Sequence, residues 1–322
     1  MNIHHKCIRP IVFVGALIAA PIAAFAAAEC PVGYPSSPIE FVVAYGAGGG
    51  TDAIARTLAS QLEENMGWTI PVSNKPGAGG GVMMASLLGE APDGLTVGVG
   101  STNTVTLDPY ANEGGTFTWE SFDYPATAMA VTFGLVALSD APYSNLEEFI
   151  EFARENGRAT ISTSAIALEI AVQRIAEHYD VNLIAIPGNG AADALQSALG
   201  GHVDATIQGS QHIQQIEAGN MKQLSTLVSD RVSYAPDTMT TIESGVDVTV
   251  GAYILFVLPK GVDTAIQTCL EEAIAEATAS EAYTELMTNF NTAPANLGSA
   301  GALDFIKTQA AEYQAIFAAR EN

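Results

Sequence analysis

The sequence predicts an α/β fold in two lobes, and three observations carry that expectation. Residues 39–62 place a buried-strand pattern, a glycine run and an amphipathic helix one after another. The same unit recurs at 69–89, and strands and helices keep alternating from 159 to 228. The chain is also long. With an apolar leader set aside, roughly 295 residues remain, too many for one small core and suited to two domains.

The first unit reads IEFVVAYGAGGGTDAIARTLASQL. Ile39 to Tyr45 form a strand, and Ile54, Leu58 and Leu62 share one face of the helix. Glycines at 46, 48, 49 and 50 let a ligand approach the backbone where a Cβ would obstruct it. The first amides of a helix lack partners inside it and carry the positive end of its dipole, which suits an anion. Asp52, in that first turn, either caps the helix or faces a ligand. The glycines in turn either serve a ligand or only tighten the turn.

The second unit, TIPVSNKPGAGGGVMMASLLG, repeats strand, glycine loop (Gly77, Gly79, Gly80, Gly81) and helix. A third strand, LTVGVGSTNT, runs out into Ser101, Thr102, Asn103 and Thr104. In a parallel sheet these three loops share the carboxyl end, where α/β proteins place their ligands. Residues 108–126 read as an irregular crossover, and Thr127 to Leu138 as one long buried strand. Ser144-Asn145-Leu146-Glu147 has capping-box spacing and opens a helix with Phe149, Ile150 and Ala153 inward and Gly157 as its stop.

A strand at 159–163 ends in Ser162, Thr163 and Ser164, and a helix follows over 166–179. Next come a strand (Val181–Ile186), a turn (Pro187-Gly188-Asn189-Gly190) and a helix (191–199). A strand at Val203–Ile207, a helix at 210–218 and a strand at Lys222–Val228 complete this block. The short connections favour a mostly parallel sheet. Residues 230–245 are irregular, Val246–Leu258 returns to β character, and helices near 263–279, 281–290 and 301–319 finish the chain.

The amino terminus carries Lys6 and Arg9, then IVFVGALIAA, then Ala24-Phe25-Ala26. That is the pattern of a secretory signal peptide over residues 1–26, with an apolar core too short for a comfortable membrane span. Glu29 before Cys30 argues against a lipid anchor. Losing Lys6 and Arg9 moves the formal charge from −23 to about −25, which excludes nucleic acid and anionic membrane surfaces as partners. Cys30 and Cys269 remain. An oxidising compartment permits a bond between them, or Cys269 is a buried thiol beside Ile266, Leu270 and Ala273.

No catalytic set emerges. His178, His202 and His212 show no metal-ligand spacing, and no G-x-S-x-G elbow or P-loop is present. Residues 48–53 fit a loose G-x-G-x-x-A pattern. Asp52 would point a carboxylate at the pyrophosphate, however, and Ser73-Asn74-Lys75 stands where the ribose-binding acid belongs. A secreted enzyme acting on a nucleotide or phosphate ester is therefore the rival reading. No cofactor, no metal and no catalysis are expected. An exported chain with two α/β lobes, a crossover out and a crossover back points to a solute-binding protein that closes by hinge motion.

YPSSPIEFVVAYGAGGGTDAIARTLASQL, VSNKPGAGGGVMMASLL and APDGLTVGVGS resemble the extracytoplasmic receptors of tripartite tricarboxylate transporters, the Bug receptors. The likeness continues through ALQSALGGHVDATI and YILFVLPKG and covers nearly the whole mature chain. It implies a type II-like, two-lobed periplasmic binding protein, each lobe a sheet flanked by helices, with a carboxylate in the interlobe cleft. Lobe 1 would be 27–126 plus 229–322, and lobe 2 would be 127–228. The implied ligand set is Tyr45, Gly48, Gly49, Asp52, Gly79, Gly80, Ser101 and Thr102 in the first lobe. In the second lobe it is Ser162, Thr163, Ser164, Asn189 and Gly190.

A monomer delivering its ligand to a membrane permease in the periplasm is implied, with an orphan receptor feeding a sensor kinase as the alternative. Two motifs depart from the family pattern. Ser162-Thr163-Ser164-Ala165 replaces a glycine-rich loop, and Pro187-Gly188-Asn189-Gly190 lacks the usual tyrosine and lysine. Recognition by amides and hydroxyls follows, favouring a monocarboxylate or a neutral tail.

Overall fold

Strand–helix alternation builds two five-stranded sheets in a computed structural model that describes residues 30–111, 116–188, 190–209 and 212–320. The signal peptide expected over 1–26 and the candidate ligand residue Asn189 lie outside the described residues. The first stretch gives β1 (Glu40–Val43), α1 (Gly50–Met66), β2 (Val72–Asn74), α2 (Gly81–Leu87), β3 (Thr96–Ser101), α3 (Thr102–Thr106), α4 (Asp108–Ala111) and β4 (Phe122–Val131). The middle gives β5 (Gly134–Leu138), α5 (Leu146–Glu155), β6 (Ala159–Thr163), α6 (Ile166–Tyr179), β7 (Leu183–Pro187) and α7 (Ala191–Leu199). It closes with β8 (Ala205–Gln208), α8 (Ile213–Glu217) and β9 (Met221–Thr226). The last stretch gives β10 (Ala252–Pro259), α9 (Thr264–Thr278), α10 (Glu281–Asn289) and α11 (Gly298–Arg320).

The first sheet has the order β2-β1-β3-β10-β4 and the second β7-β6-β8-β5-β9. In each, a parallel trio is followed by one reversed strand. β10 is antiparallel to β3 and β4, and β5 is antiparallel to β8 and β9. The two sheets are therefore built alike, and each receives its reversed strand directly after the chain crosses from the other.

The single strand expected over Thr127–Leu138 is two strands in two sheets, with the crossing at Thr132-Phe133 rather than at the expected boundary of 126/127. The mostly apolar run hides this because the one break signal, Gly134, directly follows the crossing and is flanked by β-forming residues. The return passes through 227–251. Val246, Val248 and Val250 were expected to open a strand. They are buried in the second lobe's core but pair with no strand, so their alternation reflects packing alone. The helix expected from Ser144 is capped one residue later. The Asn145 side chain accepts the Glu148 N–H at 2.9 Å, and the Glu148 carboxylate reaches back to the Ser144 N–H at 2.7 Å.

Alternation along β1 and β10 sorts the first lobe into two layers. Phe41, Val43 and Phe256 face α1, α9 and α10, while Val42, Ala44, Leu255 and Val257 face α2, α3 and α11. Phe41 and Phe256 meet edge-on at 5.6 Å, and burying a side chain of this size contributes about 1.5–3 kcal/mol. α11 belongs to both lobes. Ala302 and Ile306 pack into the first, whereas Tyr313, with Ile316 and Phe317 against it, joins the second lobe's core. Among the described residues no helix is long and apolar enough to cross a membrane.

Cys30 and Cys269 are joined in a disulfide with Cα atoms 4.9 Å apart, across a separation of 239 residues. Cys269 is fully buried in α9, so the bond fastens the start of the described chain to the first lobe's helical layer. Closing a long loop in the unfolded chain stabilises the fold by about 2–4 kcal/mol. Cys30→Ser is accordingly expected to lower stability in urea unfolding by an amount in that range. An unchanged midpoint would show that the bond constrains nothing.

Candidate functional site

Both sheets present the carboxyl ends of their parallel strands at a rim, and hydrogen bonds lace the first-lobe loops together there. Asp52 is the knot. It is 4% exposed, in the first turn of α1, and it turns back to accept the Gly48 N–H at 2.9 Å. The same carboxylate takes Arg56 Nε at 3.0 Å and Asn74 Nδ2 at 2.9 Å. Asn74 also donates to the Tyr45 carbonyl at 2.9 Å and accepts from Arg56 at 3.2 Å. Arg56, foremost, with the Gly48 amide and Asn74, outweighs burial and holds the Asp52 carboxyl down from 3.8 to about 2.

The second loop is tied from both sides. Gly79 O accepts from the Tyr45 hydroxyl at 3.4 Å and from the Thr104 hydroxyl at 2.9 Å. Burial raises the Tyr45 phenol above its ordinary value, so it stays a neutral donor. Gly80 sits at φ 108, and a Cβ there would meet Thr104 Oγ1 at 2.9 Å, so only glycine fits between the second and third loops. Asp108 lies beside this loop, its carboxylate 3.7 Å from where a Cβ on Gly79 would stand. Burial pushes its carboxyl up to about 7.

The structure sorts the sequence-derived residues into two kinds. Gly48, Gly49 and Gly79 are exposed, and Tyr45, Ser101, Ser164 and Gly190 are partly so. Those can meet a ligand. The side chains of Asp52, Thr102 and Ser162 are committed to the protein: Thr102 Oγ1 accepts the Tyr253 N–H at 3.1 Å, and Ser162 Oγ donates to Ala194 O at 2.7 Å. Gly80 is buried. In the second lobe Thr163 ends β6 beside Pro187 of β7, and its fully buried hydroxyl has no partner among the described residues.

Two features escaped the sequence reading. One is the Arg56–Asn74 pair that locks Asp52; the Asp-to-Arg spacing of four on one helix was its visible signal. The other is a cavity of about 780 Å³ beside the hinge, walled by both crossings (Thr132, Ser233, Tyr234), by β10 (Tyr253), by α6 and by α11 (Gln309). None of the thirteen ligand residues named from the sequence lines it. Its walls come from segments far apart in the chain, which no local pattern reveals. Among the described residues no group of His, Cys, Asp and Glu is arranged to hold a metal.

The family described as "Tripartite tricarboxylate transporter family receptor" matches residues 54–321. A UPF0065 protein of Bordetella pertussis is 31% identical over 286 residues, covering 86% of this chain and 87% of that protein. A TctC solute-binding protein from Polaromonas superposes with a TM-score of 0.75 at 26% identity, over 88% of this chain and 98% of that one. The periplasmic binding protein BugD gives the same score and identity, over 88% and 97%.

The Asp52 knot predicts a pH signature. A depressed carboxyl stabilises fully above its unfolded value near 3.8, and that contribution is lost as pH falls towards about 2. Asp52→Asn should therefore melt below the parent at pH 5–7, with the gap narrowing from pH 4 downwards. Melting curves that run parallel throughout would remove Asp52 from this role.

Proposed function

Because the chain belongs to the family of tripartite tricarboxylate transporter receptors, which are periplasmic solute-binding receptors and not enzymes, we propose that it captures an organic carboxylate and passes it to a membrane permease. The observation that carries the reading is the laced rim of glycine loops. Gly46, Gly48, Gly49 and Gly50 are exposed at the start of α1, as are Gly77 and Gly79 ahead of α2. Backbone amides at such a turn offer fixed donors and a favourable dipole to an anion. The hydrogen bonds through Asp52, Asn74, Tyr45 and Thr104 hold those donors in place before the ligand arrives. Preorganisation of this kind lowers the ordering cost of binding.

Beside the rim Arg56 already serves Asp52, Lys75 is exposed at the start of the second glycine loop, and the formal net charge is −23. Amides and hydroxyls therefore supply most of the donors, which favours a monocarboxylate or a carboxylate with a neutral tail. Hinge motion about Thr132-Phe133 and residues 227–251 brings the second-lobe residues Thr163, Ser164, Asn189 and Gly190 over the ligand. Gly48, Gly49, Gly79 and Ser101 make the first contacts, and the receptor works as a monomer in the periplasm.

The test is a thermal-shift and calorimetric screen of the purified mature protein against mono-, di- and tricarboxylates, amino acids and nucleotides. A ligand that binds only the folded state adds about 2.7 kcal/mol at a hundredfold excess over its Kd, a shift of several degrees. A carboxylate is expected to give it. A shift with nucleotides alone would overturn the receptor reading.

A further inference from the structure

An anion set against the second glycine loop comes up against a carboxyl. Gly79 is exposed, and the place its missing Cβ would take lies 3.7 Å from Asp108 Oδ2. Outside the short turn that holds Gly79, no other atom of the described residues comes within 4 Å of that place. The approach is open save for Asp108. The same oxygen lies 3.9 Å from the corresponding point on Gly81, the first residue of α2.

The fold fixes this juxtaposition. Asp108 begins α4, with only Leu107 between it and the end of α3. Leu107 is 3% exposed and packs in the second lobe's core, which anchors the turn. Thr104 of α3 donates its hydroxyl to Gly79 O at 2.9 Å, and the Tyr45 hydroxyl reaches the same oxygen at 3.4 Å. Loop and carboxyl are thus tied to one another through the same short helix. Burial raises the Tyr45 phenol and the Asp108 charge raises it further, so the two groups share one small volume.

Two like charges in a half-buried site oppose each other's ionisation, because little water lies between them to screen the repulsion. A ligand carboxylate at Gly79 and an ionised Asp108 therefore exclude one another unless a proton intervenes. We infer that Asp108 links capture to protonation: the carboxylate binds at the second glycine loop only while Asp108 holds a proton, which it draws from solution as the site fills. This rests on the carboxylate-receptor reading above.

Burial pushes the Asp108 carboxyl up to about 7, so the free protein is poised to take that proton near neutral pH. The other titratable and charged groups on the surrounding elements leave it that role. Tyr110 lies on α4 itself, and Tyr45 stays a neutral donor. Lys75, ahead of the loop, and Asp304, Lys307 and Glu312 of α11 are all exposed. Asp52, held down at about 2 by Arg56 foremost, stays ionised. Asp108 carries its proton below about 7 and loses it as pH rises through that value, so affinity falls with rising pH.

The experiment is calorimetry of the parent and Asp108→Asn with the carboxylates of the screen above, butyrate, succinate and citrate among them. Titrations run at pH 7, 8 and 9, each in two buffers of different ionisation enthalpy, which counts the protons taken up per ligand. For an acid that binds, the parent Kd should rise about fivefold from pH 7 to 8 and about tenfold from pH 8 to 9. Uptake should approach about one proton per ligand at pH 9. Asp108→Asn, neutral throughout, should bind about tenfold more tightly than the parent at pH 8, keep its Kd level and take up no proton. Melting curves check that the variant is folded, and the proton count in the parent stands without it. Carboxylate binding with no proton uptake by the parent, or a pH slope that survives in Asp108→Asn, overturns the inference and leaves the receptor reading intact. Weaker capture by Asp108→Asn at every pH overturns it too, since the charged carboxylate would then be serving the ligand. If no carboxylate binds the parent at any pH, both fall.

Discussion

The candidate site depends on one buried carboxylate. Asp52 draws together the amide of the loop ahead of its own helix, the arginine one turn along that helix, and an asparagine ending the neighbouring strand. A glycine-rich loop has little conformational preference of its own, so its shape must be imposed from outside. Here the imposition is electrostatic and close to complete, since a carboxylate accepting several N–H bonds is strongly favoured in its charged form. The Arg56 end is half exposed and so partly screened by solvent, while the contacts from Gly48 and Asn74 tie the carboxylate to the loop and to the neighbouring strand.

That arrangement assigns different duties to neighbouring residues. Exposed glycines can touch a ligand, while Asp52, Thr102 and Ser162 spend their side chains on the frame. Polar residues beside a loop read alike in a sequence whether they face a ligand or brace the backbone. Only the geometry separates them, because the deciding partners, Tyr253 N–H for Thr102 and Ala194 O for Ser162, lie 151 and 32 residues away.

Much of the fold was legible for the same reason that some was not. The helix at 166–179 matches its expected bounds because its buried face, Ala167, Ile170, Ala171 and Ile175, repeats with helical period. The turns at 46–49 and 77–80 follow from glycine placement after apolar strands, whereas the loop expected at 101–104 is the end of β3 running straight into α3, with Ser101 as its cap. Legibility failed where one signal has two causes. Val246, Val248 and Val250 alternate like a strand yet only dock on a surface, and the residues on both sides of Thr132-Phe133 keep β character although the chain changes sheets.

The sheet order also constrains the order in which the protein can assemble during synthesis. β10 sits between β3 and β4, yet it is made only after the whole second sheet. Until residue 259 is available, β4 has no strand to pair with, and the first sheet holds a gap one strand wide. The second sheet has no such debt, since all five of its strands lie between Gly134 and Thr226. A nascent chain therefore has every strand of the second sheet before it can close the first, although Tyr313 of α11 joins the second lobe's core only at the end. The ligand-capturing loops gain their finished frame only when the last third of the sequence threads back between two waiting edges.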